Sequence, residues 1–123
     1  MKSYASKPLA ERQADAAKAK AKNPDGIPVI IEPASSDVGP LKRGRRYLFP
    51  PDQTMSRLQL IVRQNIPELR AEEGIWCFVI SPNGRDTLVN QTESLASVQQ
   101  TYKHEDGFVY VKYSKENCFG SGF

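Results

Sequence analysis

The sequence predicts an α+β fold, in which a mixed β-sheet packs a main helix against one face and an N-terminal helical extension precedes the sheet. Three observations predict it: an alanine- and lysine-rich stretch opens the chain, short runs of β-type residues follow, and amphipathic segments lie between those runs. With 123 residues the chain is the size of one domain. We expect an extension over residues 1–25, a core over 26–114 and a flexible tail over 115–123.

The extension is predicted from residues 9–22 (LAERQADAAKAKAK), since alanine and lysine are strong helix formers. Pro8 suits the start of this helix, and residues 23–26 (NPDG) end it. Its apolar face is weak because alanine buries little area. Two interpretations therefore stay open, a solvated basic helix lying on the domain or a binding surface.

The first two strands are predicted at residues 27–32 (IPVIIE) and 45–49 (RRYLF), and the loop between them favours antiparallel neighbours. An edge strand at 45–49 would offer unpaired backbone groups to an extended peptide. Side chains alternate along a strand. We therefore expect Arg46 and Leu48 on one face, and Arg45, Tyr47 and Phe49 on the other.

The main helix is predicted at residues 55–65, where the apolar side chains recur at helical spacing, and Asp52 or Thr54 would cap it. Residues 75–80 (IWCFVI) are apolar on both faces and predict a central, buried strand. A short edge strand at 87–89, a helix at 94–102 and a last strand at 108–113 follow. A hairpin, a crossing helix and a late strand beside the first form the ubiquitin-like β-grasp arrangement.

Charge is distributed unevenly along the chain. Residues 1–46 carry ten basic and five acidic side chains, a net of +5, whereas residues 47–123 carry seven and nine, a net of −2. A basic first part favours an acidic partner or an anionic surface. No apolar run approaches the ~20 residues of a membrane span, and two cysteines make no disulfide framework, so we expect a cytoplasmic protein.

Other function classes have weaker support. Cys77 lies among apolar residues and His104 at a turn, so neither predicts catalysis, and the spacing of Cys and His predicts no metal site and no cofactor. Basic residues 42–46 beside Tyr47 are compatible with a nucleic-acid groove, but the run is short, and we expect no nucleic-acid partner. A peptide-binding module remains the alternative that the edge strand favours.

Several stretches, taken in order, resemble the autophagy ubiquitin-like modifiers of the GABARAP and microtubule-associated-protein light-chain family. They are residues 22–25 (KNPD), 27–32 (IPVIIE), 46–50 (RYLFP), 104–110 (HEDGFVY) and 113–120 (YSKENCFG). The resemblance implies a protein tag that is not an enzyme and acts in autophagosome formation. A cysteine protease would cut after Phe119-Gly120, and activating and conjugating enzymes would join Gly120 to phosphatidylethanolamine on the autophagosome membrane.

The resemblance also implies a site for receptors that carry W/F/Y-x-x-L/I/V motifs, paired with the strand at 45–49. One pocket would be lined by Ala19, Pro28, Leu48 and Phe108, with Asp15 and Arg46 at its lip. A second would involve Tyr47, Phe49, Pro50, Leu58 and Ile61. Ala19 stands where members usually have a larger aliphatic residue, and Gly26 where many have a basic one. The alternatives are a ubiquitin-like peptide-binding scaffold and a microtubule-associated adaptor, neither of them lipidated.

Overall fold

The computed structural model describes residues 2–67 and 69–115 and contains the predicted elements in the predicted order. A 3₁₀ turn at Tyr4–Ser6 precedes the following elements: α1 (Leu9–Lys22), β1 (Ile27–Pro33), β2 (Arg46–Phe49), α2 (Met55–Gln64), β3 (Ile75–Ile80), β4 (Asp86–Thr87), α3 (Leu95–Tyr102) and β5 (Val109–Lys115). Because β5 continues to Lys115, the expected core boundary at 114 falls within a strand. The predictions for Phe119 and Gly120 lie outside the described residues.

The sheet has the order β2-β1-β5-β3-β4 and is mixed, as predicted. β1 pairs antiparallel with β2, where Pro28 lies opposite Leu48, and parallel with β5, where Val29 lies opposite Val109. β3 pairs antiparallel with β5. Within residues 2–67 and 69–115, β2 is therefore an edge strand, and the last strand returns beside the first.

The main core lies between the sheet and α2. Thr54 caps this helix by accepting a hydrogen bond from the Arg57 backbone N–H at 3.3 Å. The apolar stripe of α2 buries Met55, Leu58 and Val62 completely, in one cluster with residues of β1, β3 and β5. None of the helices in the described ranges has the length and hydrophobicity needed to cross a bilayer.

The N-terminal extension covers part of the opposite face of the sheet. Tyr4 and Ala16 pack there with Ile30, Phe108 and Tyr110. The Tyr4 ring meets the Phe108 ring edge to face, with 5.4 Å between their centroids. Ala16 is the one buried residue of α1, and Tyr4 in the 3₁₀ turn adds a large buried ring to the contact of the extension with the sheet.

β3 lies inside the sheet between β5 and β4, as predicted, but the prediction that both of its faces are buried is wrong. The strand lies next to the two-residue β4, and Trp76 on its outer face is 46% exposed. The extension reaches Ile80 at one end of β3 but leaves Trp76 in solvent. An apolar run therefore indicated a strand here without indicating what covers each face. The short strand also begins one residue earlier than predicted, at Asp86.

Candidate peptide-binding site

A cleft of about 340 Å³ lies between α1 and β2. It is lined by Asp15, Lys18, Ala19, Lys22, Arg46, Tyr47, Leu48 and Phe108. The structure thus brings together every residue assigned to the first pocket or its lip except Pro28. Pro28 is buried opposite Leu48 in the β1–β2 ladder and does not line the cleft.

The periodicities of the helix and the strand explain this arrangement. Asp15, Ala19 and Lys22 follow each other at i, i+4 and i+7 and therefore share one face of α1. Leu48 lies on the face of β2 that is turned toward the helix, and Phe108, 1% exposed, lies just before β5. Lys18 and Lys22 were not among the predicted site residues, although their spacing from Asp15 could have indicated them.

Gly26 supports the wall of the cleft through close contact with Leu48. A Cβ atom placed on Gly26 would lie 2.7 Å from both Cγ and Cδ1 of Leu48. Such a separation is far inside van der Waals contact, which for carbon atoms is about 3.5–4.0 Å. The position of the Leu48 side chain therefore depends on the absence of a side chain at residue 26.

Gly26→Ala is expected to displace Leu48 and to lower the free energy of unfolding by about 1–3 kcal/mol, the usual cost of overpacking. Gly39→Ala is the matched control, because a Cβ there would meet no atom within 4 Å. Urea denaturation of both variants measures the difference. Equal stabilities would show that Leu48 moves aside without cost.

Asp15 carries the negative charge of the cleft, and basic groups surround it. The Lys7 Nζ lies 2.8 Å from its Oδ2, the Tyr4 hydroxyl donates to the same oxygen, and the Arg46 Nη1 lies 3.5 Å away. The hydrogen bonds from Lys7 and then Tyr4 hold the pKa of Asp15 below its ordinary value. With Lys18, Lys22 and the 60% exposed Arg46 side chain, the rim is net positive.

Arg45 has a different role from Arg46. Its Nη1 lies 2.9 Å from Oε2 of Glu32 and 2.7 Å from the Lys2 carbonyl oxygen, and its guanidinium lies over the Tyr4 ring. Because Arg45 precedes β2, the alternation of the strand does not fix its side chain. Arg45 therefore helps to hold the N-terminal extension and is not among the residues that line the cleft.

The residues assigned to the second pocket, apart from Tyr47, do not line the cleft. Leu58 has no exposed surface and Phe49 is 6% exposed, so both belong to the main core. Pro50 is exposed, and Ile61 is half-buried against that core. Tyr47 stacks on Phe49 with their centroids 5.5 Å apart. The second pocket stays a prediction, and Leu58 would contact a peptide only if its neighbours moved.

Cys77 and His104 have structural surroundings. Burial raises the pKa of the Cys77 thiol to about 12, which keeps it protonated and unreactive at neutral pH. The His104 Nε2 lies 2.7 Å from the Ile80 carbonyl oxygen, and its ring packs against Tyr110. His104 is therefore half-buried and bonded to the backbone at the turn where the sequence placed it.

The comparison with known proteins agrees with the observed fold. The profile of the family described as "Autophagy protein Atg8 ubiquitin like" matches residues 11–120. This chain belongs to the Atg8 family. The predicted family is thus confirmed, and membership places the chain among ubiquitin-like proteins of autophagy, which are not themselves enzymes.

Individual relatives cover nearly the whole chain. Autophagy-related protein 8d of Arabidopsis thaliana is 40% identical over 94% of this chain and 92% of its own length. The crystal structure of Trypanosoma brucei ATG8 superposes with a TM-score of 0.77 at 36% identity, covering 94% of this chain and 95% of that one. Plasmodium falciparum Atg8, solved with a Plasmodium falciparum Atg3 peptide, gives 0.75 at 26% identity, covering 93% and 96%. These matches confirm the ubiquitin-like β-grasp fold.

Proposed function

We propose that this Atg8-family protein is conjugated through Gly120 to phosphatidylethanolamine on autophagosomal membranes and recruits receptors that carry W/F/Y-x-x-L/I/V motifs. The observation that carries the receptor site is the cleft between α1 and β2, which lies beside the edge strand of the sheet, and membership of the Atg8 family supports the conjugation. A cysteine protease, activating and conjugating enzymes and cargo receptors are the proposed partners. The Atg3 peptide bound to the Plasmodium relative supports a conjugating enzyme among them.

Peptide recognition would combine backbone pairing with side-chain burial. An extended peptide beside β2 would use the backbone groups that β1 does not pair, and its aromatic side chain would enter the cleft over Phe108 and Leu48. Arg46, Lys18 and Lys22 would favour acidic residues next to the aromatic one. A nucleic-acid groove along the basic residues 42–46 is less well supported, because Arg45 in that run is already paired with Glu32.

Conjugation would begin with hydrolysis of the Gly120–Ser121 peptide bond, which releases residues 121–123 and leaves a carboxylate on Gly120. The activating enzyme would join this carboxylate to AMP with loss of pyrophosphate, and a cysteine thiol would displace AMP to give a thioester. The lipid amine would then displace the thiol and form an amide. Glycine suits each step because it presents no side chain to a narrow active site.

The intact mass of the protein purified from autophagy-active cells tests the conjugation. We expect a soluble form that lacks Ser121-Gly122-Phe123 and a membrane form that carries one phosphatidylethanolamine in addition. Cells in which every copy retains these three residues would contradict the proposal and favour an unlipidated scaffold or a microtubule-associated adaptor.

Leu48→Ala is expected to weaken binding of a W-x-x-L peptide about tenfold, because the substitution removes apolar surface from the wall of the cleft. Isothermal titration calorimetry at moderate salt measures the effect. Leu60→Ala is the matched control, since Leu60 is 42% exposed on α2 and lines a separate surface with Gln59 and Arg63. Equal affinities of the two variants would place the peptide elsewhere.

A further inference from the structure

One carboxylate oxygen links the extreme N-terminal segment to the cleft. Oδ2 of Asp15 accepts a hydrogen bond from the Tyr4 hydroxyl, lies 2.8 Å from Lys7 Nζ, and lies 3.5 Å from Arg46 Nη1. Two of these groups come from the segment before α1, and the third comes from the edge strand. The charge of Asp15 is therefore shared between the extension and the peptide-facing side of the sheet.

The N-terminal segment is held firmly enough to keep its part of this arrangement. Tyr4 is 2% exposed, and its backbone N–H donates to Oε2 of Glu32 at 2.8 Å. Arg45 binds the same Glu32 oxygen at 2.9 Å and so holds the carboxylate that accepts from the Tyr4 backbone. The Tyr4 hydroxyl therefore donates to Asp15 from a ring that is held in place by burial.

The distances to Oδ2 show which groups form hydrogen bonds with the Asp15 carboxylate. Lys7 and Tyr4 lie within hydrogen-bonding distance of Oδ2, whereas the Arg46 nitrogen at 3.5 Å exceeds the usual range for an N–H···O bond. The Arg46 side chain is also 60% exposed, compared with 33% for Lys7. Arg46 thus keeps donors of its planar guanidinium available to a ligand carboxylate.

We propose that Tyr4 and Lys7 are positioning residues of the peptide site: because they supply the hydrogen bonds of the Asp15 carboxylate, the donors of Arg46, 3.5 Å away, stay available to an acidic residue beside the aromatic anchor of a peptide. This inference rests on the proposed receptor function and adds a determinant of its specificity. Without the Tyr4 hydroxyl, Asp15 would turn to Arg46, and the cation would be withdrawn from the ligand.

The test compares two W-x-x-L peptides, one with glutamates before the tryptophan and one with serines there. Tyr4→Phe keeps the ring against Phe108 and removes one oxygen without changing net charge. We expect it to weaken the acidic peptide about two- to fivefold, the range for an exposed ion pair, and to leave the serine peptide unchanged. Tyr102→Phe on α3, away from the cleft, is the matched control.

Combining Tyr4→Phe with Asp15→Asn tests whether Tyr4 acts through Asp15, because a purely structural role of Tyr4 would not depend on the charge of residue 15. Asp15→Asn should strengthen acidic-peptide binding more in the Tyr4→Phe background than in the wild type, because it releases the captured Arg46. Additive effects, or equal losses for both peptides, would overturn the inference. If Tyr4→Phe fails to fold, Lys7→Met, tested in the same cycle with Asp15→Asn, must show the same non-additivity for the inference to stand. Failure of the wild type to bind either peptide would instead contradict the proposed function.

Discussion

Asp106→Ala is expected to lower the free energy of unfolding by about 3–5 kcal/mol, the range for removing one partner of a buried ion pair. The Asp106 side chain has no exposed surface. Its Oδ2 lies 2.9 Å from Arg12 Nη1 and accepts from the Tyr110 hydroxyl at 2.5 Å, and its Oδ1 accepts from the Phe108 N–H at 2.8 Å. Alanine would leave these donors without their acceptor.

Urea denaturation measures this change, and Glu105→Ala is the matched control. Glu105 is the neighbouring acidic residue in the same turn and is exposed, so its replacement should alter stability by no more than about 0.5 kcal/mol. Because Arg12 lies on α1, hydrogen exchange of the α1 amides should also accelerate in Asp106→Ala. A loss below about 1 kcal/mol would mean that Arg12 and Tyr110 recover partners in solvent.

Sequence patterns within a single segment predicted the elements whose formation depends on neighbouring residues. The apolar spacing of α2, its Thr54 cap and the alanine-rich α1 each follow from neighbouring residues, and the structure confirms them. The antiparallel pairing of β2 with β1 also follows from the connection between them. The residues that line the first pocket came from the family resemblance, and the structure brings all but Pro28 to one cleft.

Interactions between distant residues could not be predicted in this way. Nothing in the sequence around Glu32 indicates that Tyr4 and Arg45 will both bind its carboxylate. The exposure of Trp76 likewise depends on how far the N-terminal extension reaches across the sheet. Such features arise from tertiary packing, in which a side chain is satisfied by groups many residues away.

Gly120→Ala is expected to abolish lipid conjugation, with the conjugate falling at least about a hundredfold, since a small misplacement at a reacting centre can cost that much. Residue 120 would have to be accommodated in turn by the protease, the activating enzyme and the conjugating enzyme. A methyl group would meet the walls of each active site, and the losses would multiply. Conjugation to vesicles that contain phosphatidylethanolamine, followed by mass spectrometry, measures the product.

The matched control for this prediction is Gly122→Ala, because residue 122 would leave with the released peptide and should not affect the conjugate. A chain ending at Gly120 separates the steps further: if it is conjugated without the protease and its Gly120→Ala counterpart is not, the block lies after cleavage. Gly120→Ala and Gly122→Ala should both unfold at the same urea concentration as the wild type, since the described core lies within residues 2–115. Efficient lipidation of the Gly120→Ala chain would refute Gly120 as the attachment site and leave Gly122, the other glycine near the end of the chain, as the residue to test next.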